Sequence, residues 1–512
     1  MNYNVGKQIV LKNVGRALAV SAFLLASCAW ADNQNEDFVV KPYLQLGNNP
    51  HLSKPEKLDV CWFARGNTDN WTVESRSEGG EEWKKKTWKK NKQPTQAVVE
   101  NSVPSKVYSF DATIDGLTPG AKFEYRVLKN GTEVFKEHST ARKNEHQAFR
   151  FVAFGDMGAN TEGQKKIAFQ IYQNKPDFIV FLGDIVYWNG LLTEYYEKFF
   201  PIYTTAKPSA EVGAPILSTS TCFGVLGNHD IALSDKDSQD AVNLDKFGDN
   251  ALAFYKIWSE PLNGPLTDWH QTSTTKVKGT DEKIKQFLES TGNKFPRMAN
   301  YSYDYGNSHW LVLDANPYMD WTNESLRHWV EKDLASAKNA KWKFVCFHQP
   351  GFNFDITHYS EQRMRLLSDI FEKTGVDVVF AGHAHDYQRS FPLHFKPKTD
   401  ESGKLVPPGK DGKVAGELQT DSEYEGNKDT HPKGVIYIVS GAGGAKLYGP
   451  ITEKDPNIKR DFTDKFVSNT HSFTVCDLND SLLDVKQISA EGNTIDEFKI
   501  DKSAGVQDHE HK

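Results

Sequence analysis

The sequence is short of several things, and each shortage narrows what the chain can be. Cysteine is scarce, with five in 512 residues. Four of them, Cys61, Cys222, Cys346 and Cys476, lie far apart inside apolar, strand-like runs and read as buried thiols. An oxidising compartment would permit disulfides, but the spacing specifies no pairing. Long apolar runs are missing after residue 31, so no later stretch is long enough for a membrane helix. Positive charge is in deficit: 61 Lys and Arg stand against 68 Asp and Glu, for a formal net charge of −7. Such a surface does not suggest nucleic acid as a binding partner. No internal repeat is visible.

What is present is a chain long enough for two or three domains. Its 38% hydrophobic and 25% charged residues make it globular but polar, and its 12 Trp, 19 Tyr and 31 Phe argue for aromatic-rich cores. The first 31 residues carry Lys7, Lys12 and Arg16 and no carboxylate, followed by an apolar stretch from Ala17 to Leu25. This is the pattern of an export signal, too short to span a bilayer. It has two competing ends. Ala29-Trp-Ala31 is an A-x-A cleavage site that would free a soluble protein beginning at Asp32. Leu25-Ala-Ser-Cys28 resembles a lipobox, which would lipidate Cys28 and provide the one contact with a membrane. The chain is therefore expected to be exported: periplasmic, secreted or lipid-anchored in a bacterial envelope.

Residues 38–145 read as an all-β unit. Short alternating runs, Lys57–Arg65, Trp71–Ser77, Gln96–Asn101, Lys106–Ile114, Phe123–Leu128 and Thr132–Glu137, are divided by turn signals such as Thr118-Pro-Gly120 and Asn130-Gly131. That is the signature of a β-sandwich. The corner at 117–127 resembles the one before a late strand in fibronectin type III domains. The lysine-rich run Trp83–Lys92 reads as a solvated hairpin rather than a polyanion-binding patch.

At Phe149 the pattern changes to strand, helix, strand: Phe149–Phe154, Gly163–Asn174 and Asp177–Leu182 form a βαβ unit. Further strands read at Cys222–Leu226, His309–Leu313, Lys343–Phe347, Val376–Phe380 and Val435–Ser440. Two or three closing strands read in Ser472–Ile500. Helices read at Ser325–Ala337 and Glu361–Lys373. Residues 148–500 thus read as one α/β domain, interrupted at 396–433 by a Gly-, Pro-, Lys- and Asp-rich surface insertion.

Five short motifs follow strands of this second unit: Gly155-Asp156-Met-Gly158, Gly183-Asp184-Ile-Val-Tyr187, Gly227-Asn228-His229-Asp230, Val345-Cys-Phe-His348 and Gly382-His383-Ala-His385. Ligands of open α/β sheets collect at the carboxyl ends of the strands. Singly, each motif is weak: Gly-Asp is usually a turn, and a His after a strand is usually a hydrogen-bonded core residue. Together they supply seven oxygen and nitrogen donors. One ion needs fewer; two ions sharing a carboxylate need about that number, with positions left for water and substrate.

With this set the sequence resembles the metallophosphoesterase superfamily and, within it, the purple acid phosphatases. Tyr187 is the discriminating residue, and Gly382-His-Ala-His-Asp-Tyr-Gln-Arg389 and Asn300-Tyr-Ser-Tyr-Asp-Tyr-Gly306 resemble family segments too. The resemblance implies a fibronectin type III-like β-sandwich followed by an αββα-type, two-sheet domain. It implies an exported acid phosphatase that hydrolyses small phosphate monoesters by metal-bound hydroxide. Two metal ions are implied: Fe(III) on Asp156, Asp184, Tyr187 and His385, and Fe(II), Zn(II) or Mn(II) on Asn228, His348, His383 and the shared Asp184. His229 and His358 are the implied proton donors, with Asp230 orienting His229. Plant members carry two adjacent histidines where this chain has Thr357-His358. The rival readings are a phosphodiesterase or nucleotidase on the same frame and a non-catalytic cell-surface binding protein.

Overall fold

The computed structural model describes residues 37–503 apart from 67–68, 87, 91–94, 98–104, 234–240, 266–274 and 450–460. The export-signal reading of 1–31 lies outside the described residues.

Val40–Gln45, Glu56–Arg65, Ser105–Leu117 and Trp88–Lys90 form one sheet in that order, with Thr95–Ala97 also on Ser105–Leu117. Lys84–Lys86, Trp71–Ser77, Lys122–Lys129 and Thr132–Thr140 form a second. Strand alternation turns Leu58, Val60 and Trp62 of the first sheet and Trp71, Val73, Tyr125 and Val127 of the second into a shared core. This is a β-sandwich. Its first strand, Val40–Gln45, carries Lys41 and Pro42 within a short run and was not read as a strand.

The run Trp83–Lys92 is not one hairpin. Lys84–Lys86 pairs with Trp71–Ser77, whereas Trp88–Lys90 pairs with Ser105–Leu117, so the segment crosses from one sheet to the other. Side chains anchor it despite its charge. Trp83 lies under the guanidinium groups of Arg76 and Arg126, 4.4 and 4.2 Å from its ring centre. Lys86 buries its stem and donates to Asp115 Oδ1 at 2.7 Å.

Among the described residues, the rest of the chain builds two large sheets face to face, besides two small two-stranded ones. The first runs Thr221–Gly224, Phe178–Phe181, Phe149–Phe154, Ser472–Leu478, Leu482–Ser489, Thr494–Asp501. The second runs Tyr301–Tyr305, Ser308–Val312, Trp342–Cys346, Val378–Ala381, Ile436–Ser440, Tyr387–Ser390, Thr463–Val467. Aromatic rings fill the space between them: Phe151 meets Trp310 edge-on at 4.8 Å and Phe344 at 5.6 Å. On the outer face of the first sheet, Glu162–Asn174 buries Ile167, Ala168 and Ile171, with Thr161 accepting the Gln164 N–H as its cap. On the outer face of the second, Glu324–Ser336 buries Leu326, Val330 and Leu334. The order is helix, sheet, sheet, helix.

Two expectations change in detail. Residues 361–373 are not one helix but a 3-10 segment, Arg363–Leu367, leading into Ser368–Thr374. The first turn tightens where Arg365 turns inward, donating to Gly351 O at 2.7 Å and covering Phe352. Within 396–433, Gly416–Thr420 is a strand paired with Leu393–Pro397.

Arg142 fastens the sandwich to the second unit. It is fully buried, donates from Nε to Glu56 Oε2 at 3.0 Å, and pairs with the same carboxylate oxygen through Nη2 at 2.8 Å. Its Nη1 also donates to the carbonyls of Asn49 and Asp304 at 3.0 Å. All four described cysteines are buried free thiols.

Candidate metal centre

The parallel strands Phe149–Phe154, Phe178–Phe181, Thr221–Gly224, Trp342–Cys346 and Val378–Ala381 are all followed by polar loops at their carboxyl ends. Three site residues there have left-handed backbones without being glycine: Asp156 (φ 61°), Asp184 (φ 47°) and His383 (φ 72°). Such strain, of order 1–3 kcal/mol each, persists where the surroundings over-determine it. Glycine makes the approach feasible. A Cβ on Gly227 would come within 2.3 Å of Asp184 Oδ1, and one on Gly183 (φ 87°) within 2.6 Å of His348 Nδ1.

The donors fall into two linked groups. In the first, Tyr187 Oη lies 3.1 Å from Asp156 Oδ1 and 3.0 Å from His385 Nε2, with His385 Nε2 3.4 Å from the same carboxylate. In the second, His348 Nε2 lies 3.2 Å from Asp184 Oδ1 and 3.2 Å from His383 Nδ1. His348 Nε2 is also 3.9 Å from Asp156 Oδ1, which joins the groups. Among the described residues, the Asn228 side chain hydrogen-bonds neither group directly: its Oδ1 is 3.5 Å from the amide of Gln349, which also donates to Asn316 at 2.8 Å.

The outer contacts aim the inner nitrogens. His348 Nδ1 is 2.7 Å from Leu182 O and His385 Nδ1 is 2.7 Å from Lys446 O. A carbonyl accepts only from N–H, so in both rings Nε2 of the neutral form carries the lone pair, facing the carboxylates. The Asp156 and Asp184 carboxylates are themselves fixed by the backbone N–H groups of His383 (2.7 Å) and His229 (2.8 Å).

The electrostatics ask for a cation. Burial alone would lower the His348 pKa, yet Asp184 and Asp156 push it up to about 10. Burial would raise Asp184, yet His348 and His229 hold it well below the usual carboxylate range. Tyr187 is pushed up by burial and by Asp156, so a phenolate there requires a positive charge at hand. One atom each of Asp184, His348 and His383 lies within 4.8 Å of the others. Facing lone pairs and carboxylates at this density fit metal ions, and the mix of hard oxygen and imidazole nitrogen suits iron, zinc or manganese.

Two functional neighbours were not read from the sequence. Glu361 receives His358 Nδ1 on Oε1 at 2.9 Å and His383 Nε2 on Oε2 at 3.2 Å. It stands three residues after His358, a spacing that could have flagged it. Tyr448 Oη is 2.9 Å from His358 Nε2, and its ring stacks on His385 at 4.4 Å. Nothing local to residue 448 announces that. The expected role of Asp230 needs correction. Its carboxylate accepts the N–H groups of Gly227 (2.9 Å) and Ile185 (3.1 Å), whereas His229 Nδ1 meets Trp188 O at 2.9 Å. Asp230 therefore ties two site loops together and does not orient His229. Burial and the nearby Asp184 raise its pKa to about 8.

Residues 149–387 match the family model for calcineurin-like phosphoesterases. Purple acid phosphatase 23 of Arabidopsis thaliana is 24% identical over 300 residues, 54% of this chain and 56% of that protein. Probable inactive purple acid phosphatase 1 of the same plant is 24% identical over 427 residues, 77% of this chain and 58% of that one. The chain thus spans about half the length of the curated relatives it matches. A solved purple acid phosphatase from yellow lupin (Lupinus luteus) seeds has the same fold, with a TM-score of 0.61 and 18% identity over 90% of this chain and 74% of that one. Taken with the two-sheet core, these likenesses show that residues 149–387 resemble the calcineurin-like phosphoesterases and that the chain is similar to the purple acid phosphatases among them.

Proposed function

We propose that this protein is an exported acid phosphatase that hydrolyses small phosphate monoesters at a dinuclear metal centre. The observation that carries the reading is Tyr187 Oη lodged between Asp156 Oδ1 and His385 Nε2. A phenolate is a hard anionic donor suited to Fe(III), so Asp156, Asp184, Tyr187 and His385 would hold the ferric ion. Asn228, His348, His383 and the shared Asp184 would hold Fe(II), Zn(II) or Mn(II). When bound, such a pair supplies Lewis acidity toward phosphate oxygens and an acidified water as nucleophile.

The protein's own groups do the rest. His229 holds Trp188 O through Nδ1 and directs Nε2 past Asp184 Oδ2, 3.8 Å away. In its protonated form Nε2–H is the proton for the leaving oxygen. His358 spends both ring nitrogens on Glu361 and Tyr448, and its ring lies 3.9 Å from that of His383. It is the better placed to brace His383 than to donate. Export and an optional lipid on Cys28 rest on residues 1–31. No helix of the described residues is long and apolar enough to cross a membrane.

Metal analysis combined with a visible spectrum tests the reading. The expected outcome is two metal equivalents, one of them iron, and a violet or pink colour from phenolate-to-Fe(III) charge transfer. Tyr187→Phe bleaches that colour with the fold unchanged by circular dichroism. A colourless, fully active protein holding two zinc ions would refute the iron assignment, and rates on matched mono- and diesters decide between monoesterase and diesterase.

A further inference from the structure

Among the described residues, three large hydrophobic side chains are exposed: Trp188 at 62%, Val212 at 44% and Ile356 at 39%. Two of the three belong to segments that carry site residues. Trp188 follows Tyr187 directly, and Ile356 stands two residues before His358. An exposed tryptophan is costly enough that its place matters.

Trp188 is held at that place by a built support. Buried Glu194 accepts the backbone N–H groups of Trp188, Asn189 and Leu191, the last two at 3.0 Å. Lys198 pairs with Glu194 at 3.2 Å and donates to Tyr187 O. The peptide after Tyr187 is thereby fixed, and the Trp188 carbonyl is occupied by His229 Nδ1. The indole stands nearly upright beside both neighbours, 5.2 Å from the Tyr187 ring at 72° and 5.3 Å from the His229 ring at 67°. His229 is where the leaving oxygen would receive its proton. A group departing past His229 therefore passes the indole.

We propose that Trp188 is the platform on which the leaving group rests, and that it selects phosphate esters whose leaving group carries a flat aromatic ring, such as a phenol or a nucleobase. An indole offers a polarizable face and gains most from another flat π-system; a glycerol-like leaving group offers only hydroxyls. The proposal rests on the phosphoesterase reading and adds the substrate class to it. Trp188 is a specificity residue, and its effect falls on binding rather than on the bond-breaking step.

The experiment compares the metal-loaded full chain with Trp188→Ala and Trp188→Phe on a nucleoside 5′-monophosphate and on glycerol phosphate, by steady-state kinetics and by calorimetric binding of the same two compounds. Base stacking on an aromatic side chain gives about 5- to 150-fold in affinity. Trp188→Ala is expected to lower the aromatic-to-alkyl ratio of kcat/KM about tenfold, mainly through KM for the nucleotide, and Trp188→Phe to recover most of it. An unchanged ratio, or equal losses on both substrates, overturns the platform, the latter assigning Trp188 to holding Tyr187 and His229. If the wild type turns over neither ester, the phosphoesterase reading has failed, and the calorimetric ratio judges the platform by the same criterion.

Discussion

The β-sandwich and the two-sheet unit are made of the same material, aromatic-rich strands with buried faces, yet they finish their strands differently. In the sandwich the non-glycine left-handed residue is Asn130, in a hairpin turn where it is at ease. Its buried charges are matched within the protein, Arg142 by Glu56 and Lys86 by Asp115. In the two-sheet unit seven described non-glycine residues are left-handed, and three of them, Asp156, Asp184 and His383, stand at strand ends among crowded polar atoms. One unit neutralises its buried charge internally; the other leaves a site whose balance calls for an ion. Strain and unmatched donors, rather than composition, separate scaffold from site.

The contrast breaks most sharply at Asp184. Asp184→Ala removes the carboxylate that faces His348 and is proposed to be shared by both metals. Occupancy of both metal positions and turnover are expected to fall together by more than the 10- to 100-fold typical of losing a residue that merely orients a ligand. Metal analysis after dialysis, with circular dichroism for the fold, checks this; two retained equivalents would remove the bridging role.

On the scaffold side the counterpart is Arg142→Met. It strands the Glu56 carboxylate in the interior and is expected to cost about 3–5 kcal/mol by denaturant unfolding, with metal content of the folded fraction preserved. Loss of metal with intact folding would mean that the sandwich builds part of the site.

His309 sharpens the comparison, because it is a buried charge of the two-sheet unit matched in the scaffold's manner. Burial disfavours its charged form, but the hydrogen bonds it donates to Asp304 (2.8 Å) and Asp333 (2.9 Å) raise its pKa to about 9. A raised histidine stabilises fully below its unfolded value near 6.5 and loses that contribution as pH rises through about 9. Stability should therefore decline over roughly pH 6.5–9 by up to about 3 kcal/mol, a decline that His309→Gln flattens in thermal melts.

The smallest effect is expected at His358. With both nitrogens engaged, His358→Ala should slow alkyl and nitrophenyl phosphates about equally, by roughly tenfold or less. A selective loss on the alkyl ester would return His358 to the role of proton donor.

Asp156, Asp184, Tyr187, Asn228, His348, His383 and His385 were legible as a set because each follows an apolar strand, most of them beside a glycine, and both signals are local. Tyr448 was not, since its partner His358 lies 90 residues away, and Glu361 was only half signalled, three residues after His358 but 22 before His383. Asp230 was misread for the same reason: adjacency to His229 in sequence says nothing of which backbone N–H its carboxylate meets. The crossing of Trp83–Lys92 between sheets was hidden by its charge, because lysine stems and arginine faces bury apolar surface without looking apolar.

By itself, then, the sequence determined the all-β start and α/β remainder, most of the central strands, and which donors end which strands. Those features arise from side-chain periodicity and from glycine's backbone freedom, which act within a few residues. Only the tertiary structure decided which ring nitrogen faces the site, which carboxylate braces which histidine, and that Trp188 stands exposed beside Tyr187 and His229. These are pairings across the two sheets and their loops, and hydrogen-bond direction and solvent exposure exist only once distant strands have been packed together.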